Sequence, residues 1–324
     1  MRLRLHQIEK SFGATRALAG VDLEAREGEV LALIGENGAG KSTLMKVISG
    51  AHSPDAGKME LDGKPFAPRQ PRESSDAGVA MIYQELTLAK HLSVEENLVL
   101  GREPSRYGWI DRRARREIAR KALETVNHPH LPLDLPVRNL SVAEQQIVEI
   151  ARACGSGARV IILDEPTSSL GRSDVENLFR LIALLAWKGV SLIYISHFLE
   201  ECRTVAKRYL VLRDGRSVGT GELADIDDAG IIRLMVGREV TDLYPQIPHP
   251  MGETLLKVNG LAGHRLEFKF TGPQGNARRS TEVLWRNASA GYLLTLNAME
   301  SVLNDELKDG FTALLESFEE LDQK

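Results

Sequence analysis

GENGAGKS, Gly35–Ser42, is the stretch on which the fold turns. It fits G-x-x-x-x-G-K-[ST], follows the apolar run VLALIG (Val30–Gly35) and opens a helical pattern at Lys41. Strand, glycine loop and helix in that order are the context this spacing needs to bind phosphate. Gly38 and Gly40 let the backbone curl so that successive N–H groups face one anion, and the helix N-terminus adds positive potential. The candidate phosphate-binding residues are Gly35, Glu36, Asn37, Gly38, Ala39, Gly40, Lys41, Ser42 and the next helical residue, Thr43. Lys41 is expected to reach the β/γ-phosphates and the Ser42 hydroxyl to ligate Mg²⁺.

Working outward, VAMIYQ (Val79–Gln84), VIILDE (Val160–Glu165) and SLIYIS (Ser191–Ser196) are further near-continuous apolar runs. Such strands are covered on both faces, as in a parallel sheet. Helical patterns lie between them, over Asp111–Val126, Ala143–Ala153 and Asp174–Lys188. The alternation predicts an α/β fold. Arg2–Lys10, Leu23–Arg26 and Lys58–Leu61 read as an added antiparallel β layer. VIILDE ends in two carboxylates, which a parallel sheet delivers to the edge where the glycine loop lies. Asp164 is expected to hold Mg²⁺, and Glu165 to polarise an attacking water as general base.

Composition sets the bounds. The 324 residues are 43% apolar and 27% charged, an ordinary globular mixture of about two domains. The net charge of −4 argues against a nucleic-acid binder working through bulk basic charge. Cys154 and Cys202 have no metal-ligand spacing, and two cysteines in this length suit a reducing compartment. The opening MRLRLHQIEK lacks the apolar core of a secretory signal. The most apolar long stretch, Leu178–Ile195, is broken by Arg180, Lys188 and Gly189, and no membrane span is expected there.

The ordered set of motifs across Met1–Gly263 resembles the ATP-binding cassette (ABC) ATPases, and within them the sugar-importer branch. Phe12 stands where that family stacks an aromatic on adenine. Gln84, in IYQEL, occupies the Q-loop position, which the family uses near Mg²⁺ and water. LSVAEQQIVEIARA (Leu140–Ala153) looks like the signature motif and its helix. DEPTSSL is followed by a D-loop around Ser169–Gly171, and His197, in YISH, takes the switch-histidine position. RDGR and MVGRE (Met235–Glu239) also look like that branch. The resemblance implies a P-loop NTPase (RecA-like) core with an antiparallel layer and a helical subdomain at about 87–155, in a nucleotide-binding domain spanning 1–243. It implies ATP and Mg²⁺ as cofactors, with Ser42, Gln84 and Asp164 at the metal and Glu165, His197 and Gln84 in catalysis.

The signature carries a further implication. Ser141 is a good helix N-cap, and the helix start, with Ser141, Ala143 and Glu144, is an anion site. In the family that site completes the nucleotide pocket of an opposing cassette. Partners implied are therefore a second cassette (a homodimer or another chain), an integral membrane permease and, indirectly, a solute-binding protein, with no nucleic acid. The expected place is the cytoplasmic face of the inner membrane, peripherally. Departures from the family pattern are Val142-Ala143 where two glycines are common, Gly171 where many cassettes have Asp, and Lys207 where an acid is common. They bear on rate more than on the reaction.

Pro129–Pro136 reads as a link from the helical subdomain to the core, and YPQIPHPMG (Tyr244–Gly252) as a Pro-rich linker. ETLLKVNGLAG (Glu253–Gly263) looks like the start of a second cassette, but no second glycine loop or signature follows. Residues 264–324 are expected to form an α-rich tail of uncertain fold, with amphipathic helices from Ser289. The leading reading is an ATPase subunit powering sugar import. A soluble cassette ATPase without transport, and a truncated cassette that binds ATP with little hydrolysis, stand as alternatives.

Overall fold

The computed structural model describes residues 1–237 and, beyond them, the backbone of four strands between Thr254 and Met299. The chain divides into two compact units, Met1–Tyr244 and Pro245–Lys324.

In the first unit, β1 (Leu3–Phe12) and β2 (Thr15–Ala25) form an antiparallel hairpin, and β3 (Val30–Ile34) runs through the glycine loop into α1 (Lys41–Ile48). Next come β4 (Ala56–Leu61), β5 (Lys64–Pro65), α2 (Pro71–Asp76) and β6 (Val79–Ile82). A helical layer follows. It comprises α3 (Val94–Val99), a short hairpin of β7 (Ser105–Arg106) and β8 (Trp109–Ile110), α4 (Arg112–Thr125) and α5 (Val142–Gly155). The chain then returns to the core with β9 (Val160–Asp164), α6 (Arg172–Trp187), β10 (Ser191–Ile195) and α7 (Leu199–Val205). The hairpin of β11 (Arg208–Arg213) and β12 (Arg216–Glu222) precedes α8 (Asp228–Val236).

The central sheet has the order β12-β11-β3-β10-β9-β6, parallel throughout except for β12. Its inner strands β3, β9 and β10 are nearly continuous apolar runs because both faces are covered, and the side chains divide by parity. Val30, Ala32 and Ile34 join Ile161, Leu163, Leu192 and Tyr194 on the face packed by α4, α5 and α6. Leu31 and Leu33 join Ile162, Ile193 and Ile195 on the other face, against α1 and the antiparallel sheet β2-β1-β4-β5. The period of two thus splits one continuous apolar run between two cores. The stretch Leu178–Ile195 is correspondingly shared between α6, which buries Leu178, Leu181, Ile182 and Leu185, and the buried β10. Among the described residues no helix is long and apolar enough to cross a membrane.

The Pro129–Pro136 segment does not leave the helical layer as expected. Leu133 and Leu135 accept hydrogen bonds from the Glu95 and Val94 N–H groups, so the segment caps the open end of α3 and satisfies its orphan donors. Glu95, buried at the start of α3, pairs with Arg115 of α4. Removing one member of a buried pair strands the other. Arg115→Ala is expected to lower unfolding stability in urea by about 3 kcal/mol, whereas Arg120→Ala in the same helix, which removes exposed pairs with Glu117 and Glu124, is expected to change it little. Equal effects would show that α3 and α4 do not depend on the buried pair.

In the second unit, β13 (Thr254–Val258), β14 (Leu261–Thr271), β15 (Ala277–Arg286) and β16 (Gly291–Met299) form an antiparallel sheet in that order. This corrects the α-rich expectation for residues 264–299. The overlooked signal is a period of two, Leu266, Phe268 and Phe270 alternating with Glu267 and Lys269, and it outweighs the helical pattern assigned from Ser289. The linker Tyr244–Gly252 and the helix expected over residues 300–324 lie outside the described residues.

Candidate functional site

Five strands of the central sheet run parallel, so their carboxyl ends share one edge. β3 delivers Gly35–Thr43 to that edge, β6 delivers Gln84, β9 delivers Asp164 and Glu165, β10 delivers His197, and β11 delivers Asp214 and Gly215. All of these line one open cavity of about 1170 Å³, save Ala39. A ligand site at the carboxyl edge is the general outcome of such sheets.

The loop holds its shape through two glycines that no other residue replaces. A Cβ on Gly35 would lie 2.5 Å from the Leu212 carbonyl oxygen. Gly40 has φ +104°, and its Cβ would meet the Ala17 carbonyl oxygen at 2.8 Å. The β11–β12 turn braces the loop, since Gly215 N–H donates to Ala39 O at 3.1 Å and Gly215 O accepts from Ala19 N–H at 2.7 Å. Gly40→Ala is therefore expected to cost about 1–3 kcal/mol in folding stability and to open the loop, read as a parallel loss of nucleotide affinity. Unchanged affinity would mean that the loop tolerates the shift.

Lys41 folds back over the loop. Its Nζ donates to Gly35 O at 2.6 Å and Glu36 O at 3.0 Å. Partial burial lowers the pKa of its ammonium, and the carboxylates of Glu165, Asp164 and Glu36 oppose that shift. Asp164 is displaced the other way. Burial raises its pKa, the Glu165 charge adds to the rise, and Lys41 opposes it. Both groups are thus held at a cost in their charged forms, a state that a bound anion and cation would relieve.

Glu165 is the sharpest feature. The residue sits in the left-handed region, φ +45°, while its N–H still donates to Ile195 O of β10 at 3.0 Å. A non-glycine residue in that region is uncommon, and here the turn sends the carboxylate off the strand axis between two neighbours. Gln84 Nε2 donates to Oε2 at 3.3 Å, and His197 Nδ1 lies 3.1 Å from Oε1. A carboxylate only accepts, so the imidazole carries its proton on Nδ1. Three residues far apart in sequence form one hydrogen-bonded row on the cavity wall.

Not every expected residue joins the cavity. The Ala39 methyl is packed in the core and its N–H donates to Glu36 O, which removes it from the lining. Phe12 is half exposed at the end of β1, its ring edge-on to His52 with centroids 5.2 Å apart, and it does not line the cavity, although its pairing partner Thr15 does. Ser141, Ala143 and Glu144 line a separate cavity with His128, His130 and Asp174. There Ser141 and Glu144 close a capping box. Glu144 N–H donates to Ser141 Oγ, and Glu144 Oε2 accepts from Ser141 N–H at 2.8 Å. Sequence reading missed Thr15, Arg16, Ala17, Asp214 and Met235 as lining residues, and Gly215 as a brace. The available signal was Asp214-Gly215 just after the apolar run YLVL (Tyr209–Leu212), the mark of a two-residue hairpin turn.

Residues 18–168 match the family model described as ABC transporter. The chain is 46% identical over 266 residues to a ribose import ATP-binding protein RbsA of Chromobacterium violaceum, covering 82% of this chain and 53% of that protein. It is 47% identical over 266 residues to ribose import ATP-binding protein RbsA 3 of Rubrobacter xylanophilus, covering 82% and 54%. The chain thus spans about half the length of the curated relatives it matches. Among solved structures, a nucleotide-free ATP-binding cassette from an ABC transporter aligns with TM-score 0.63 at 27% identity, covering 76% of this chain and 99% of that one.

Proposed function

We propose, from the premise that this chain belongs to the ATP-binding cassette transporter family, that it binds Mg-ATP at the carboxyl edge of its sheet and hydrolyses it to power import of a small solute, a sugar. The observation that carries the reading is the Gln84–Glu165–His197 row on the same cavity as Lys41 and the glycine loop. The loop amides and the Lys41 ammonium receive the β- and γ-phosphates. Ser42, Asp164 and Gln84 line the same cavity and present the oxygen donors Mg²⁺ prefers, so the donor set fits the ion. The ion, when bound, spreads the charge that develops on the phosphates. Glu165 accepts a proton from water aimed at the γ-phosphorus, and Gln84 and His197 hold that carboxylate in place.

The capping box of α5 lines a separate cavity, so Ser141 is not assigned to the chain's own nucleotide. The reading assigns it to the pocket of a second cassette. The groove lined by Tyr83, Leu98, Leu100, Ile118 and Arg152, between core and helical layer, is assigned to the membrane permease. Phosphate release by the purified chain tests the pairing. The rate per cassette should rise with protein concentration, because each site needs the other's α5. A rate per cassette independent of concentration in a monomeric sample would overturn the reading. Sugar import itself is tested by transport in vesicles holding the permease.

A further inference from the structure

The hairpin β7–β8 projects a set of side chains that the fold does not use. Tyr107 and Trp109 are 90% and 81% exposed and Ile110 is 50% exposed. The turn is two residues long, with φ +53° at Tyr107 and +83° at Gly108. An aromatic residue in the left-handed region is strained where Asn or Asp would fit readily. The tip therefore carries Tyr107 against local preference.

The surrounding charge is as unusual. Residues 101–116 (GREPSRYGWIDRRARR) hold six arginines and two acids, a net of +4 in a chain of net −4. Arg102 pairs with Asp76, Arg115 with Glu95, and Arg116 with Asp134. Arg106, Arg112 and Arg113 are exposed and make no ion pair among the described residues. Two of them open α4, whose first turn contains no acid. The helix dipole disfavours cations there, so their placement works against the helix they begin.

We propose that this hairpin rests on an anionic lipid surface, with Tyr107 and Trp109 at the headgroup level and Arg106, Arg112 and Arg113 against lipid phosphates. Amphipathic rings are enriched at that depth. Basic residues are drawn to anionic leaflets within a Debye length. A six-residue hairpin is too small for a stable protein interface, which needs about 800 Å² per partner. It suits the weak second anchor that reinforces another attachment. The inference does not rest on ATP hydrolysis, and its test separates the two.

The experiment is sedimentation of the full chain with vesicles of phosphatidylcholine, with and without phosphatidylglycerol, at low and high salt. The wild type should bind only the anionic vesicles and be released by high salt. Tyr107→Ser/Trp109→Ser should lose binding, and Arg112→Gln/Arg113→Gln should weaken it about 30-fold, each with unchanged nucleotide affinity and circular dichroism. Wild type and variants binding equally, or no binding to anionic vesicles, would overturn the proposal. So would a deficit in the variants confined to detergent-solubilised permease or to single-stranded nucleic acid. A variant with altered circular dichroism is replaced by Tyr107→Asn, which the turn accommodates.

Discussion

Glu165→Gln is expected to bind Mg-ATP at least as tightly as the wild type and to release phosphate about 10²–10⁴-fold more slowly. The carboxamide keeps an oxygen to accept the His197 Nδ1 proton, and Gln84 flips its own amide to accept from the new NH₂ group. The row on the cavity wall therefore survives while the carboxylate placed to take the water proton is gone. Electrostatics favours retained binding. One negative charge leaves a site that receives a polyanion, and Asp164 loses a like-charged neighbour that now raises its pKa. Equilibrium titration with a fluorescent nucleotide and single-turnover phosphate release read the two quantities separately. Turnover near the wild-type rate would remove Glu165 from the role of base.

Lys41→Ala acts on the other half of the reaction. The ammonium is held against Gly35 O and Glu36 O, so it is positioned over the loop before any phosphate arrives. Loss of a charged hydrogen bond costs about 1.5–3 kcal/mol, or roughly 10–150-fold in nucleotide affinity. The two carbonyls also lose their donor, and the loop is then held mainly by the β11–β12 brace at Gly215. The expected result is weak nucleotide binding with a hydrolysis defect that added ATP partly relieves, the reverse of the Glu165→Gln pattern. Wild-type affinity in Lys41→Ala would mean that backbone amides alone grip the phosphates.

The glycine loop, the Asp164-Glu165 strand end and the α/β alternation were legible because each is local. A near-continuous apolar run, two carboxylates at the end of one, and a glycine at a fixed offset are all written in consecutive residues. The tail was misjudged for the same reason. Over residues 261–299 strand and helix patterns compete locally, and pairing between strands that no short window contains settled the matter as a sheet. Ala39 belongs to the loop's spacing but not to the cavity, because its methyl fills a hole in the core beneath.

Taken alone, the order of residues determined which groups could meet a triphosphate: an ammonium, a hydroxyl and two carboxylates at the ends of apolar strands. Tertiary structure decided which of them meet one another. Gln84, Glu165 and His197 stand just past the carboxyl ends of three strands, and only parallel pairing with one direction of travel brings their side chains within 3.3 Å of one another along the row. Ser141, at the start of α5, lines a separate cavity instead. Strand direction is a property of the whole sheet, and no single segment encodes it.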